Sequence, residues 1–416
     1  MHTIWIIDHY SSEPKYGGYS RQYNFAVGLA KRGYNVVVIA SSFSHFTHNY
    51  ISQKKVTISK INNNVYYIYV KTGEYKFNSS IYRFKGMIEF CVRSWKNIRN
   101  IEQKFGRPLW VVGSSPHPFV WILAFQIAKK YNAKFIAEVR DFWPLELETE
   151  NTNSIYKLFF GLLSRLERWA FNNANKIICT LPYGDRYICD KLKIDRDKYT
   201  WIGQPLDCKR YDILMNDKKL PVDIEKFIYK QQFICVFAGY YMKYQGVYEI
   251  LSAAKEIYND NIPISFLFVG DGEEKDNMKK YVCKNKLHNV LIYDRIDKEC
   301  IPTLLSRCNV NIAILSDPKV KKMLKYGLSM NKVNEYLYSG SVTILGYFMK
   351  ENEVTESGGG FSYNPHEEKL SDIIMKIYNL SELDREKIGI NGRNYAIQNH
   401  GVDALVEKYI EKILLQ

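Results

Sequence analysis

The chain is 416 residues long, 46% hydrophobic and 25% charged, with a formal charge of +14. That length exceeds what one core commonly spans, so two or three domains are expected, and the composition excludes a disordered chain. The positive charge points to an anionic partner: phosphate-bearing small molecules, nucleic acid and an acidic membrane surface all qualify. Nucleotide bias in the source genome, visible as abundant Lys, Asn, Tyr and Ile, accounts for part of the charge equally well.

The opening stretch "MHTIWIIDHY" has neither the basic start nor the long apolar run of a signal peptide. No window approaches the roughly 18–20 apolar residues of a membrane span. The eight cysteines show no CxxC pairs or zinc spacing, the pattern of reduced core residues. A cytoplasmic chain is expected, attached at most to a membrane surface.

In chain order, short β-branched runs alternate with helical segments. "TIWIID" (3–8), "NVVVIA" (35–40), "LWVVG" (109–113), "KFIAEV" (134–139) and "KIICT" (176–180) read as buried parallel strands, apolar throughout because helices cover both sheet faces. "FICVFA" (233–238), "ISFLFV" (264–269), "NVLIY" (289–293), "VNIAIL" (310–315) and "VTIL" (342–345) repeat the pattern. A Lys- and Asp-rich break, roughly 204–233, separates the halves. The pattern is that of an α/β protein with two doubly wound, Rossmann-like domains in tandem, 1–205 and 206–397. Such sheets bind ligands outside the carboxyl ends of their strands, so the residues that follow strands matter most.

After the first strand, Gly17-Gly18 precedes an amphipathic helix; the pair either lets backbone N–H groups approach a ligand or simply closes a flexible loop. "RDFWP" places Arg140 and Asp141 at the end of a buried strand, as a functional charge pair or a structural one, and "SSPHPFV" brings His117 to the same edge. In the second half, Gly239 and Gly246 frame a loop with Lys243 and Gln245, a plausible diphosphate cradle. Gly270 and Gly272 fall short of a full GxGxxG, and Arg295 lies in the loop after the next strand.

"SMNKVNEYLYSG" starts a short helix with Ser329 as its expected N-cap, so N–H groups near Met330, Asn331 and Lys332 would face an anion. Lys332 adds a full charge. Glu335, one turn on, lies on the same face and can accept two hydrogen bonds from a ribose diol. The alternative is an exposed ion pair three residues apart.

Taken in order, "GGYSRQYNFAVGLAKRGYNVVVIAS", "EVRDFWP", "FLFVGDGEEKDNMKKY", "NVLIYDRIDKECIPTLLSRCNVNIAIL" and "GGGFSYNPHEEKL" resemble retaining glycosyltransferases of the GT-B fold. The resemblance is closest to the family 4-like enzymes of bacterial capsule, O-antigen and exopolysaccharide synthesis, especially those acting on lipid-linked sugars. It implies two domains facing across a cleft, with a final helix, about 398–416, packing back on the first. It also implies a nucleotide-sugar donor, UDP favoured, and a lipid-linked or oligosaccharide acceptor. Glu335 matches the second glutamate of the family's E-x7-E motif, the ribose ligand. The first falls at Gly327, leaving the backbone of 326–330 to contact the sugar. Tyr240 and Gln245 stand where many relatives carry Arg and Lys for the diphosphate, so Lys243 is expected to supply the charge.

No metal or other cofactor is expected: no DxD-like pair sits in a suitable loop, and helix N-termini with Lys243 and Lys332 would stabilise the leaving diphosphate. Retention in this family is ascribed to front-face attack, with Arg140, Asp141 and His117 orienting acceptor or sugar and Asp141 the choice for any side-chain base. Residues 79–105 interleave apolar residues with Arg83, Lys85, Arg93, Lys96 and Arg99, the pattern of a helix lying on an anionic inner leaflet or of a core-facing helix with a basic back. Residues 154–171 are a second such segment. Rival readings are a GT-B-fold sugar-nucleotide 2-epimerase and a non-catalytic basic protein that binds membrane or nucleic acid; no nucleic-acid motif is present.

Overall fold

The computed structural model describes residues 2–17, 20–75, 81–115, 117–146, 154–315 and 324–415, without the side chains of 81, 146 and 154–159. The chain divides into two compact units: Met1–Pro205 with Lys322–Ser329 and Val402–Gln416, and Leu206–Lys321 with Met330–Gly401.

The first unit holds a sheet of eight strands: β1 (Thr3–Ile7), β2 (Asn35–Ser41), β3 (Val56–Asn62), β4 (Val65–Val70), β5 (Trp110–Ser114), β6 (Lys134–Val139), β7 (Lys176–Cys179) and β8 (Tyr199–Trp201). Their order is β3-β4-β2-β1-β5-β6-β7-β8, all parallel except the β3–β4 pair. Alternate residues serve two cores. Trp5, Ile7, Val37 and Val111 pack on one face, and Ile4, Ile6, Val36 and Val112 on the other. Four strands extend the sequence reading across both units; three lie in this sheet. β3 alternates half-buried and exposed positions, β8 is three residues long, and β4 is tyrosine-rich. Chain order reverses between β1 and β5, which opens a crevice at the carboxyl edge of the sheet.

The second unit is a parallel sheet of order β11-β10-β9-β12-β13-β14, built from β9 (Phe233–Tyr240), β10 (Ile264–Asp271), β11 (Val290–Tyr293), β12 (Val310–Ile314), β13 (Val342–Gly346) and β14 (Gly360–Tyr363). Its switch point lies between β9 and β12. Gly270 and Gly272 have a packing role here: a Cβ on Gly270 would stand 1.8 Å from the Gly239 carbonyl oxygen, and one on Gly272 2.5 Å from the Tyr241 backbone. The Lys- and Asp-rich break folds into two helices, Cys208–Asp217 and Val222–Lys230.

Leu405, Val406, Tyr409, Ile413 and Leu414 join the core of the first unit beside Phe25 and Leu29. The Arg21–Lys31 helix meets this returning segment at Gly28, where a Cβ would come within 2.5 Å of Val406 Cγ2. Gly28→Val is expected to destabilise the protein by about 1–3 kcal/mol through overpacking, despite the helix-propensity cost of glycine. Val406→Ala in the same chain should recover part of that loss. Additive effects in a denaturation cycle would contradict the close approach.

Candidate functional site

The helix Asn331–Tyr338 carries the donor-side residues, and buried polar contacts fix it on three sides. The Tyr336 hydroxyl donates to the Ala238 carbonyl at 3.1 Å and accepts from the Ala238 N–H at 3.0 Å, tying the helix to the end of β9. Asn334 Nδ2 donates to His400 Nδ1 at 3.0 Å, and His400 Nε2 meets Glu353 at 2.7 Å. The Tyr338 hydroxyl donates to Asp212 at 2.7 Å, bringing in the Cys208–Asp217 helix and with it Tyr211. Met330, not Ser329, is the N-cap, and no side chain caps the helix. Ser329 Oγ instead accepts from Gln204 Nε2 at 3.1 Å, so the first-turn N–H groups have no side-chain cap competing for them.

Lys332 and Glu335 do not pair with each other. The Lys332 ammonium donates to Gln245 Oε1 at 2.8 Å and sits 4.3 Å from the centre of the Phe237 ring. A Cβ on Gly239 would approach Lys332 Nζ to 2.6 Å, so glycine there makes room for it. Although the residue as a whole is half-buried, its charged end is enclosed. Burial lowers the Lys332 pKa to about 8, against the pull of Glu335. Lys243, by contrast, is exposed and only 3.8 Å from Glu274. The enclosed cation of the loop is therefore Lys332, standing beside Gln245. Gly246, at φ +67, opens the Val247–Asn259 helix with Ile314 packed too close for any side chain.

The Glu335 carboxylate accepts a hydrogen bond from the Tyr211 hydroxyl. Burial raises its pKa, while Tyr211, Lys298 and Lys332 oppose the rise. Neither Tyr211 nor Lys298 stood out in the sequence, since each comes from a distant segment. Lys298 follows the loop of Arg295, which is exposed and lines a cavity of about 720 Å³ with Lys219, Asp223, Lys279 and Tyr293. Tyr240 is exposed.

Gly327 belongs to the first unit. It adopts φ +94, and a Cβ would stand 2.8 Å from Pro182 Cδ. Tyr326 beside it is buried against Phe142 and Tyr187, with ring centres 5.4 and 5.3 Å away, and its carbonyl accepts from the Tyr183 N–H at 3.0 Å. The backbone conformation and the packing both exclude a glutamate at 327. The Tyr326 carbonyl is also committed within its own unit.

In the first unit, the carboxyl edge of β1, β5 and β6 gathers buried polar groups. His117 Nε2 lies 2.9 Å from His9 Nδ1. Burial lowers the His117 pKa to about 3 and that of His9 well below the usual value, so both rings are neutral. His117 Nδ1 has no hydrogen-bond partner among the described residues. Arg140 Nη1 lies 3.6 Å from Asp8 Oδ2. Burial raises the Asp8 pKa to about 6, with Arg140 opposing, and burial likewise raises that of Asp141. Behind them, Glu138 is paired with Arg21 at 3.1 Å and accepts from Ser114 at 2.6 Å. Phe142, read from sequence as a cleft wall, is wholly buried in the core. Asp8 and His9 were visible as "IIDHY" after the first strand but went unread. Gly17 (φ +75) closes the loop after β1 and accepts from Ser12 Oγ; Gly18 lies outside the described residues.

The five basic residues read as membrane contacts separate into two groups. Arg83 turns inward, donating to the Tyr10 hydroxyl at 3.0 Å and stacking on its ring, and Arg93 donates to the Lys71 carbonyl and pairs with Glu89. Lys85, Lys96 and Arg99 are exposed. Part of the 154–171 segment lies outside the described side chains. Among the described residues, no group of three or more His, Cys, Asp or Glu is arranged to hold a metal ion, and no helix is long and apolar enough to cross a membrane.

Residues 17–210 match Glycosyltransferase Family 4 and residues 222–395 match Glycosyl transferases group 1. A probable glycosyltransferase, WbjE of Pseudomonas aeruginosa, is 21% identical over 305 residues, 72% of this chain and 73% of that protein. Anabaena HepE in complex with UDP and glucose superposes with a TM-score of 0.63 at 14% identity, covering 99% of both chains. WaaG, a glycosyltransferase involved in lipopolysaccharide biosynthesis, gives a TM-score of 0.61 at 14% identity over 99% of this chain and all of its own. Two parallel α/β units and two successive glycosyltransferase domain matches make this chain a glycosyltransferase of the GT-B fold, of the family 4-like group.

Proposed function

We propose that the enzyme transfers a hexosyl or N-acetylhexosaminyl group, with retention of configuration, from a UDP-sugar to a polyprenyl-linked acceptor in bacterial surface-polysaccharide synthesis. The observation that carries the reading is the helix Asn331–Tyr338, which presents an enclosed ammonium, first-turn N–H groups and a Tyr211-oriented carboxylate beside the glycine loop after β9. That set suits a nucleoside diphosphate: Lys332 and the N–H groups for the phosphates, Glu335 for the ribose diol. UDP in HepE and the lipopolysaccharide role of WaaG, each belonging to those proteins, support the donor and the pathway class.

In the transfer, the C1–O bond to the diphosphate breaks as the acceptor oxygen bonds C1 on the same face, and the acceptor proton passes to the departing phosphate. The protein then needs cations and N–H donors at the leaving group more than a nucleophile, and the site supplies them without calling for a metal. Neutral His117 and the Asp8–Arg140 pair supply groups to orient sugar and acceptor hydroxyls, with Asp141 beside them. The epimerase alternative would turn over nucleotide-sugar with no acceptor.

Calorimetric titration with UDP and GDP tests the reading. Micromolar UDP binding is expected, weakened roughly 10- to 100-fold by Glu335→Ala through loss of charge-assisted hydrogen bonds, and less by Tyr211→Phe. Unchanged binding in Glu335→Ala would contradict the ribose assignment.

A pH dependence follows from Lys332. With the free-enzyme pKa lowered to about 8, the protonated form that holds the diphosphate predominates below that pH and is lost above it. UDP affinity should fall by up to tenfold per pH unit above about 8. Lys332→Arg, charged throughout, should flatten that fall. A wild-type profile flat from pH 7 to about 9.5 would contradict it.

A further inference from the structure

The helix Ile81–Phe105 has two opposite faces. Met87, Phe90, Ile98, Ile101 and Phe105 are buried in the first unit. On the other side, Lys85, Ile88, Val92, Lys96 and Arg99 follow one another at steps of three and four, forming one stripe about 21 Å long. Its apolar members remain open to solvent: Ile88 is 45% exposed, Val92 47% and the adjacent Trp95 40%. The neighbouring Phe119–Tyr131 helix adds Ile122, 37% exposed. Between the two helices lies a groove of about 340 Å³ lined by Ile88, Val92, Trp95, Phe119, Ile122 and Leu123, with Lys96 at its rim.

Charge around this groove has one sign. The two helices carry six and two cations against two and no acids. Both acids are already paired, Glu89 with Arg93 and Glu102 with Arg107. Lys130 lies 5.6 Å over the Trp95 ring, keeping a cation at the edge of the apolar surface. A contiguous apolar strip ringed by unpaired lysines costs solubility and gains the chain nothing in its own core.

We propose that this two-helix face docks on an anionic phospholipid bilayer, with Ile88, Val92, Trp95 and Ile122 inserted below the phosphates and Lys85, Lys96, Arg99 and Lys130 among the headgroups. Apolar insertion and headgroup attraction act together, each cation near the surface contributing about a fivefold gain in partitioning. The docking rests on the proposed lipid-linked acceptor for its purpose, but not for its physics.

Flotation of the intact protein with phosphatidylcholine vesicles, with and without phosphatidylglycerol, tests the proposal. Binding is expected only with phosphatidylglycerol, to weaken with salt, and to fall roughly a hundredfold in Lys85→Ala/Lys96→Ala/Arg99→Ala. Trp95→Ser/Val92→Ser should also release it, whereas Lys54→Glu/Lys55→Glu, exposed elsewhere on the same unit, should not. Absence of binding to anionic vesicles, equal loss in the Lys54/Lys55 variant, or a concentration-dependent dimer abolished by Trp95→Ser would each overturn it. UDP titration of the same variants separates the two readings: docking variants should bind UDP as the wild type does, so failure of one reading leaves the other standing.

Discussion

The donor-side chemistry depends on where one ammonium rests. Lys332 is enclosed between the Phe237 ring and the amide of Gln245, at a point where the Gly239 backbone leaves room for it. An enclosed cation without a charged partner is costly, and its lowered pKa registers that cost. An arriving diphosphate would repay it, which is why a half-desolvated lysine at the carboxyl edge of a parallel sheet signals an anion site more strongly than an exposed one. The Tyr336, Asn334 and Tyr338 hydrogen bonds hold the helix in register so that Lys332 and Glu335 face the same side.

That arrangement also gives a physical account of two departures from the family pattern. With Gln at 245, the loop after β9 carries an acceptor in place of a cation, and Lys332 extends across to it from the helix. A lysine at 245 would set two ammonium groups against each other in a poorly hydrated space. At 327, the left-handed backbone and the Pro182 contact leave no room for a glutamate side chain. Tyr326, locked among Phe142 and Tyr187, is what holds that turn.

The ten strands read from sequence were legible because a sheet covered on both faces is apolar throughout its strands. β3 and β4 escaped that reading for opposite reasons. β3 is the antiparallel edge, with polar residues on its solvated side, and β4 hides its burial in tyrosines that also serve polar contacts, as Tyr69 does toward Glu13. Glu335 and Lys332 were legible because i and i+3 share a helix face. Tyr211, Lys298, His9 and Asp8 were not, since only the fold brings them beside Glu335, His117 and Arg140. Arg83 and Arg93 show the limit of composition in the other direction. A basic residue in an amphipathic helix can as readily cap a tyrosine or a carbonyl of its own unit as face a membrane.

A crystal structure of the protein soaked with UDP would test the central claim most directly. The account predicts the ribose diol on the Glu335 carboxylate and the diphosphate over the first-turn N–H groups of residues 331–332, with Lys332 Nζ drawn from Gln245 onto a phosphate oxygen. Density for the nucleotide elsewhere, or a bound diphosphate that leaves Lys332 on Gln245, would contradict it.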